Sequence, residues 1–421
     1  MINDHTLGRF ERLDEHLLKP IYADYSFANI PATAHYLLTG ETTGPLLPAD
    51  CFGGSYPSPE RVVLVFVDSF GWEFWQRYHR RSTIMSRVVA DGVLTPISAL
   101  FPSTTSASVT TLNLGQLPAR HGVYEWNMYV PAFGEVIQSL PFALLGQGPG
   151  SAASKGFDPE ALFSPPETAH QRLRRRGVSS FQLAHRSYAG SSYNRIASAG
   201  AEIVPYGTLA EALVSLDTLI NDWPRKAFIN FYWAGLDTAA HTHGPNSKMH
   251  EAEVIAFWAA LDQLMGRNSK PGTLWLFTAD HGHIAVPAEE TLAVNTRWPE
   301  VRAMLTTSPT GQTIWPCGSP RDMFLHIVPE RRAEALSLLR QGLDGIAKVM
   351  AMDEAIAAGL FGADGVSPEL RRRLGDVLVL PYLGHFVWWN EPGLIANRLN
   401  GHHGGLTAQE LTTVLGVAGE I

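Results

Sequence analysis

The stretch Arg61-Val-Val-Leu-Val-Phe-Val-Asp68 decides how this chain folds. Its apolar, largely β-branched residues are typical of a strand that helices cover on both faces. The acid that follows would lie at the carboxyl end of that strand, which is where open α/β sheets bind their ligands. The stretch therefore predicts a buried parallel strand and makes Asp68 a candidate site residue.

Strands of the same kind recur along the chain and alternate with helical segments. Apolar runs predict four further strands, at Val93–Leu100, Phe181–His185, Lys226–Trp233 and Gly272–Ala279. The spacing of apolar residues predicts helices between them, for example at Ser106–Leu114 and His250–Met265. This alternation indicates an α/β fold, a three-layer sandwich around a mostly parallel central sheet.

The chain divides into regions of different character. Residues 1–60 are expected to form an N-terminal extension, because loop-forming residues interrupt any long pattern there. Residues 300–383 mix strand and helix patterns with few candidate catalytic groups, which predicts an inserted α+β segment. The catalytic core is then expected in two pieces, residues 61–299 and 384–421.

The composition excludes several classes of function. The chain has 421 residues, with 32 Lys and Arg against 40 Asp and Glu, so its net charge is −8. This balance argues against general binding of nucleic acids or anionic membranes. No apolar run reaches the roughly 18 residues of a membrane span, and no secretory signal is visible, so a cytoplasmic location is expected. Cys51 and Cys317 cannot form a disulfide framework, so a metal would need histidine and carboxylate ligands.

Carboxylates and histidines follow two of the later strands and recur near residue 400. Asp237 and His241 lie four residues apart after one strand, and Asp280-His281 ends another. His403 stands before two glycines. Each of these groups could also be an ordinary cap or loop residue, but together they predict a site for Zn²⁺, with Mn²⁺ or iron as alternatives. His283 is interpreted as a pocket residue and not as a ligand.

A candidate nucleophile lies in Phe101-Pro-Ser-Thr-Thr105, just before a predicted helix. A hydroxyl at a helix start meets free backbone N–H groups and the positive end of the helix dipole, which favour an alkoxide and phosphate oxygens. The alternative is a threonine that only caps the helix.

Taken together, these segments resemble the alkaline phosphatase superfamily, specifically its type I phosphodiesterase/nucleotide pyrophosphatase branch. The resemblance covers residues 61–130, 226–285 and 398–408. Its motifs, in order, are Asp68, Phe101-Pro-Ser-Thr-Thr105, Leu117-Pro-Ala-Arg-His121-Gly, Asp237-x-x-x-His241-x-x-Gly-Pro, Asp280-His-Gly and His403-Gly-Gly. The resemblance implies an alkaline phosphatase-like fold.

The resemblance also implies two divalent metal ions and a threonine nucleophile. The implied ligands are Asp237, His241 and His403 for one ion, and Asp68, Asp280, His281 and the oxygen of Thr105 for the other. The family's nucleophile lies ten residues before a turn glycine, and Gly115 selects Thr105 over Thr104 by that spacing. His402 is the alternative to His403, which is preferred because it directly precedes the two glycines.

One departure from the family pattern concerns a residue that contacts phosphate. Many relatives carry an asparagine five residues after the histidine that matches His121, where this chain has Trp126. Asn127 follows one residue later and is the candidate substrate-binding residue in its place.

The implied function is hydrolysis of phosphodiester or pyrophosphate bonds through a covalent phospho-threonine. The expected partner is a small phosphorylated substrate, with nucleotides included, and the sequence does not indicate an oligomeric state. A phosphomonoesterase or phosphonate hydrolase of the same superfamily remains an alternative, as does a non-catalytic metal-bearing binding protein. Arg120 is the one arginine within the motifs, which favours the diester because a monoester carries more negative charge.

Overall fold

The structure, a computed structural model, describes residues 1–163, 167–265 and 270–419. The strands in these ranges are β1 Arg61–Val67, β2 Val93–Ser98, β3 Asn127–Val130, β4 Glu135–Gln138, β5 Ala143–Leu144, β6 Ser179–His185, β7 Glu202–Tyr206, β8 Ala227–Trp233, β9 Thr273–Thr278, β10 Ile284–Ala285, β11 Leu292–Ala293, β12 Cys317–Ser319, β13 Asp322–Leu325, β14 Ala347–Ala351, β15 Val377–Pro381, β16 Val387–Trp388, β17 Gly401–His402 and β18 Thr412–Ala418.

The α-helices of the same ranges are α1 Ile30–Thr39, α2 Trp72–Tyr78, α3 Thr83–Asp91, α4 Thr105–Leu114, α5 Pro118–His121, α6 Ser151–Ser154, α7 Ala169–Arg175, α8 Arg186–Ala189, α9 Ser192–Ala197, α10 Leu209–Asp222, α11 Gly235–His243, α12 Lys248–Met265, α13 Val294–Arg297, α14 Arg332–Gly342, α15 Met352–Ala357, α16 Pro368–Arg373 and α17 Ala408–Leu411. Short 3-10 helices span Asp4–Arg9, Phe27–Asn29, Ala49–Phe52, His79–Arg81, Pro159–Leu162, Ala288–Glu290, Pro299–Met304 and Pro329–Arg331.

The central sheet has seven strands within the described ranges, in the order β2-β18-β9-β1-β8-β6-β7. Strands β9, β1, β8, β6 and β7 pair in parallel, whereas β18 is antiparallel to both of its neighbours. The predicted mostly parallel sheet is therefore confirmed. The five strand predictions for it match the structure to within two residues at each end.

Strand β1 is buried on both faces, as its continuous apolar run predicts. Val63, Val65 and Val67 pack in one hydrophobic cluster with side chains of α2, α3, α10 and α12. The alternate residues, Leu64 and Phe66 among them, pack in another cluster with side chains of α1, α4 and α7. Helices thus cover both faces of the sheet, which confirms the three-layer sandwich.

A second sheet lies outside this core and joins two distant parts of the chain. Its order is β14-β15-β13-β12-β3-β4-β5, seven strands among the described residues. Strands β3, β4 and β5 come from residues 127–144, whereas the other four come from residues 317–381. The link between the two parts is the antiparallel pairing of β12 with β3, where Gly318 lies opposite Asn127.

The second sheet bears on the expected division of the chain. Four of its strands lie in the segment predicted as an insertion, 300–383, but three lie in the part assigned to the core, 61–299. Residues 1–60 pack on the core: α1 lies against α4 and α7, and Ser26 bridges to Ser98 of β2. The predicted division into extension, core and insertion stays a prediction.

None of the helices in the described ranges is long and apolar enough to cross a membrane.

Candidate active site

The site lies at the carboxyl ends of β1, β8 and β9. These strands are neighbours in parallel register, with Phe66 opposite both Tyr232 and Thr278. Parallel strands end at the same edge of a sheet, so the residues that follow them meet there. Asp68, the loop and helix after Trp233, and Asp280-His281 are therefore brought together.

Four side chains make up the first donor group: Asp237, His241, His283 and His403. One ligand atom of each lies within 4.8 Å of the others. His241 Nε2 is 3.4 Å from Asp237 Oδ2, and His283 Nε2 is 3.5 Å from Asp237 Oδ1. His241 Nε2 also lies 3.2 Å from His403 Nε2. The structure thus brings the three predicted members together and adds His283.

The backbone orients the three imidazole rings of the first donor group. Nδ1 of His241 is 2.7 Å from the carbonyl oxygen of Gly401, and Nδ1 of His403 is 2.9 Å from that of Ser103. His283 Nδ1 has the same kind of partner in its neighbour's carbonyl. A carbonyl accepts only from N–H, so these bonds place the proton on Nδ1 and leave the Nε2 lone pair facing the group.

The second donor group consists of Asp68, Asp280 and His281, which are fully buried. His281 Nε2 lies 3.3 Å from Asp280 Oδ2 and 3.6 Å from Asp68 Oδ1. The backbone N–H groups of Ser69 and His281 both donate to Asp280 Oδ1. Ser69 has a φ of 63°, a left-handed conformation that is uncommon outside glycine and marks a sharp turn after β1.

The two donor groups adjoin each other. The ring of His281 stacks on that of His403, with centroids 3.6 Å apart and planes inclined by 12°. The six predicted carboxylate and histidine ligands, which span residues 68 to 403, therefore form one assembly, in which Asp237 and His241 are partly exposed.

Thr105 lies at the edge of the second donor group. Its Oγ1 is 3.5 Å from Asp68 Oδ1, 3.4 Å from Asp68 Oδ2 and 3.4 Å from His281 Nε2. Thr105 is also the first residue of α4, so its hydroxyl stands at the positive end of the helix dipole. Thr104 instead caps the helix: its Oγ1 accepts from the N–H of Ala107 and donates to the carbonyl of Tyr124.

The ionised form of Asp68 is disfavoured in this position. Burial raises its pKa well above the usual range, and the neighbouring Asp280 and Asp237 raise it further. Tyr232 opposes this shift by donating its hydroxyl hydrogen to Asp68 Oδ2. This role of Tyr232 could not be predicted, because the residue belongs to an apolar strand.

In the first donor group the three histidines lower the pKa of the carboxyl group of Asp237. Burial alone would raise the pKa of Asp237, but His241, His283 and His403 together hold it well below its usual value. Burial lowers the pKa of His283 to about 4 and that of His403 well below its usual value. Both imidazoles are thus neutral near pH 7, which is the form that binds a metal ion.

The donor atoms of both groups fit divalent metal ions. Asp237 Oδ1, Asp280 Oδ2 and His283 Nε2 are buried, yet none has a hydrogen-bond partner in the described part of the chain. Buried polar atoms without partners are rare in proteins, and ligand atoms for an ion are one explanation. Mixed imidazole and carboxylate donors suit zinc, manganese or iron.

Asn127 is held by the second sheet. Its Nδ2 donates to the carbonyl of Gly318 at 3.2 Å, and its Oδ1 is buried without a partner. The residue lines the same cavity as Thr105. Its predicted contact with a phosphate oxygen stays a prediction.

Glu125 and Asp322 form a buried carboxyl pair that the sequence did not reveal. Glu125 is 1% exposed and Asp322 is fully buried, and each has one oxygen without a partner. Burial raises the pKa of Glu125 to about 7; burial, and then the charge of Glu125, raise the pKa of Asp322 well above its usual range. One proton shared between the two carboxyl groups satisfies both oxygens.

This carboxyl pair supports the loop that carries His403. Ser319 donates to Asp322 Oδ1 at 2.5 Å and also lies 3.1 Å from the carbonyl oxygen of His403, so it links the pair to that loop. A Cβ at Gly404 would lie 2.6 Å from Asp322 Oδ1. Only a glycine thus lets the backbone pass this close.

A cavity of about 1120 Å³ opens over the two donor groups. Asp68, Thr105, Asp237, His241 and His403 line it, together with side chains of the second sheet and of the segment 396–399. A volume of this size accommodates a substrate with organic groups on both sides of a phosphate.

The family model for type I phosphodiesterase / nucleotide pyrophosphatase matches residues 62–405. The chain belongs to this family. It is therefore a hydrolase of the phosphodiesterase and pyrophosphatase type, and enzymes of this type depend on divalent metal ions. The predicted superfamily and enzyme class are thereby confirmed.

Solved structures share the fold of this type I phosphodiesterase. The murine ectonucleotide pyrophosphatase/phosphodiesterase 5 aligns with a TM-score of 0.64 and 14% identity, over 85% of this chain and 88% of that one. The same murine protein has been solved as an inactive threonine-to-alanine variant in complex with AMP. Phosphonoacetate hydrolase from Sinorhizobium meliloti 1021, in complex with phosphonoacetate, aligns with a TM-score of 0.60 and 16% identity, over 87% and 92% of the two chains. No curated protein sequence matches the chain significantly.

Proposed function

We propose that this chain hydrolyses phosphodiester or pyrophosphate bonds of small substrates, nucleotides among them, through a covalent phospho-threonine at Thr105. The observation that carries the proposal is the position of Thr105 Oγ1, within 3.5 Å of both Asp68 and His281 at the start of α4. A hydroxyl placed among donor groups for two metal ions is suited to attack phosphorus.

The first donor group would hold one divalent ion, and Asp68, Asp280 and His281 with the Thr105 oxygen would hold the other. Zinc is proposed first, because imidazole and carboxylate donors are its usual ligands. Bound there, such ions stabilise the charge on the phosphoryl oxygens and on the attacking and leaving oxygens.

The protein groups position the nucleophile and accept its proton. The Thr105 hydroxyl faces the Asp68 carboxylate, and the Tyr232 hydroxyl orients that carboxylate by donating to its Oδ2. The positive end of α4 stabilises the alkoxide that forms when this proton leaves.

The proposed reaction proceeds in two displacements at phosphorus. Thr105 Oγ1 forms a bond to phosphorus while the bond to the leaving oxygen breaks, so an alcohol or phosphate departs and a phospho-threonine remains. Water then displaces Thr105, and the retained phosphate monoester is released. The threonine-to-alanine substitution in the inactive murine protein, solved with AMP, supports an essential threonine and a nucleotide substrate.

The test is a parallel comparison of rates with metal analysis of the same sample. The substrates are bis-p-nitrophenyl phosphate, p-nitrophenyl phosphate, a dinucleotide pyrophosphate and phosphonoacetate. The proposal expects kcat/KM to be highest on the diester or the pyrophosphate. Preference for p-nitrophenyl phosphate or for phosphonoacetate would replace it by a monoesterase or a phosphonate hydrolase.

A further inference from the structure

The cavity extends inward from Thr105 along helix α4. Val109, Leu112 and Asn113 follow Thr105 by four, seven and eight residues, and all of them line the cavity. Residues at these spacings share one face of a helix. At about 1.5 Å per residue, this inner part reaches roughly 12 Å from the nucleophile.

The opposite wall of the inner part is the central sheet. Asn230 in β8 lines it and lies two residues before Tyr232, so both side chains point to the same face. Since the Tyr232 hydroxyl reaches Asp68, Asn230 lies about 7 Å further along the strand from the phosphate site. Gln182 of β6 stands beside Asn230 in register.

Asn230 has unused hydrogen-bonding capacity. It is 2% exposed, and its Oδ1 has no hydrogen-bond partner in the described residues. Its neighbour Gln182 is satisfied, because Ser198 donates to its oxygen and its amide donates to Asn194. A buried amide oxygen without a partner destabilises the protein unless something else supplies one.

The inner part also lacks charge. Of the residues placed here, Phe66, Val109, Leu112 and Tyr193 are apolar or aromatic, and Asn113, Gln182 and Asn230 are neutral and polar. A charged group would lose its hydration there without gaining a partner of opposite charge. The surroundings therefore select an uncharged group.

We propose that Asn230 forms the floor of a substrate subsite that binds an uncharged organic group carrying hydrogen-bond donors and acceptors. The subsite deepens the proposed function and rests on it for the position of the phosphate at Thr105. In-line displacement requires the leaving group to lie opposite the attacking oxygen. The inner part lies on the side of Thr105, so it receives the group that stays on phosphorus.

The test compares two diesters with the same leaving group in the metal-loaded enzyme. One is the p-nitrophenyl ester of thymidine 5′-monophosphate, whose retained group carries donors and acceptors, and the other is methyl p-nitrophenyl phosphate, whose retained group carries none. Asn230→Leu keeps the approximate size of the side chain and removes the amide. Asn246→Leu, the same substitution on the surface, is the matched control.

Asn230→Leu is expected to lower kcat/KM for the thymidine ester about tenfold and to change it less than twofold for the methyl ester. Binding of thymidine 5′-monophosphate, measured by calorimetry, is expected to weaken by a similar factor. The unfolding temperature of the variant should be unchanged or slightly raised, because a buried amide oxygen without a partner has been removed.

Equal losses on both esters, or no loss on either, would overturn the subsite while leaving the proposed function intact. If the wild-type enzyme cleaves neither ester, the proposed function is wrong. The subsite is then tested by the binding measurement alone. Weaker binding of thymidine 5′-monophosphate to Asn230→Leu then supports the subsite, and unchanged binding overturns it.

Discussion

Thr104 and Thr105 carry adjacent hydroxyl groups with different partners, and this difference leads to the first prediction. Thr105→Ala removes the oxygen that faces Asp68 and His281, so kcat is expected to fall by about 10³ or more. Thr104→Ala removes only a cap and its bond to Tyr124, which should cost roughly 0.5–2 kcal/mol of stability. Rates on the preferred substrate and unfolding midpoints measure the two effects.

Locating the residue that carries phosphate tests the assignment of the nucleophile more directly than the rates do. Acid quenching followed by mass spectrometry should locate phosphate on Thr105, and the Thr105→Ser variant should still form a phospho-enzyme. Phosphate on Thr104, or full activity of Thr105→Ala, would remove Thr105 from the role of nucleophile.

The buried pair of Glu125 and Asp322 predicts a pH dependence of stability. Glu125 has a pKa of about 7 in the folded chain against 4.5 when it is free in solution, so the folded state holds a proton that the unfolded state releases. The contribution of this proton to the free energy of unfolding is then fully present below pH 4.5 and is lost as the pH rises towards 7. Glu125→Gln removes this loss, so the variant should gain on the order of 3 kcal/mol at pH 8 and little at pH 4.5.

The measurement is the denaturant midpoint of wild type and variant between pH 4.5 and 8. Glu160→Gln, a substitution at an exposed glutamate, is the control and should run parallel to the wild type. A Glu125→Gln curve that also runs parallel would show that Glu125 releases its proton at the same pH in both states.

At this scale the sequence predicted six of the seven donor residues and missed His283, whose place depends on the path of the backbone through a loop. Asp68, Asp280 and His281 follow from the rule that sites lie at strand ends. His283 was interpreted as a pocket residue, because nothing in His-Gly-His shows that the backbone after Gly282 turns the third residue back towards Asp237.

Among the structural elements, the connection after β9 is tightly constrained. Gly282 lies between His281 and His283 and donates its N–H to the carbonyl of Glu410. A Cβ at this position would lie 1.9 Å from the carbonyl oxygen of Gln409, a backbone atom that cannot swing away. The connection after β9 must therefore keep this glycine to pass α17.

Gly282→Ala is expected to destabilise the chain by about 1–3 kcal/mol through overpacking and to displace two donor side chains. The unfolding midpoint and the metal content should both fall. Gly8→Ala, where a Cβ would meet nothing within 4 Å, is the matched control. A variant with unchanged midpoint and metal content would mean that this connection adjusts more readily than its contacts suggest.

The sequence predicts most strands of the central sheet, but not all of them. Buried parallel strands have long apolar runs, so five strands of the central sheet were visible in the sequence. Strand β7 was not, because it lies at the edge and Glu202 and Pro205 interrupt its pattern. The antiparallel direction of β18 depends on pairing with β2 and β9, which no local pattern encodes.

For the whole molecule, the two donor groups predict a metal content of two ions per chain. His283→Ala removes one of four donors from the first donor group, so that ion should be lost first when a chelator is added. His402→Ala is the control, because Nε2 of this neighbouring histidine lies 2.8 Å from Asn397 Oδ1 and the residue belongs to neither group.

Metal analysis after dialysis against graded chelator concentrations measures the effect. The wild type and His402→Ala should retain two ions under conditions where His283→Ala retains about one. Loss of an ion from His402→Ala instead would assign the ligand to His402, the alternative that the sequence left open.

The sequence could not predict that one sheet joins residues 127–144 with residues 317–381, and the reason is physical. Short antiparallel strands carry weak patterns, and their partners are set by packing over long distances. Residues 300–383 were therefore predicted as a segment of their own, whereas Gly318 pairs with Asn127.

The place of β18 in the central sheet has a consequence for how the chain folds while it is being made. Strand β2 is synthesised early, but its partner β18, the last strand in the described sequence, fills the position between β2 and β9. At a synthesis rate of about 5–20 residues per second, the edges of β2 and β9 stay unpaired on the order of tens of seconds until this strand is made. Unpaired strand edges invite association with other chains, so the nascent protein should depend on chaperones during this interval.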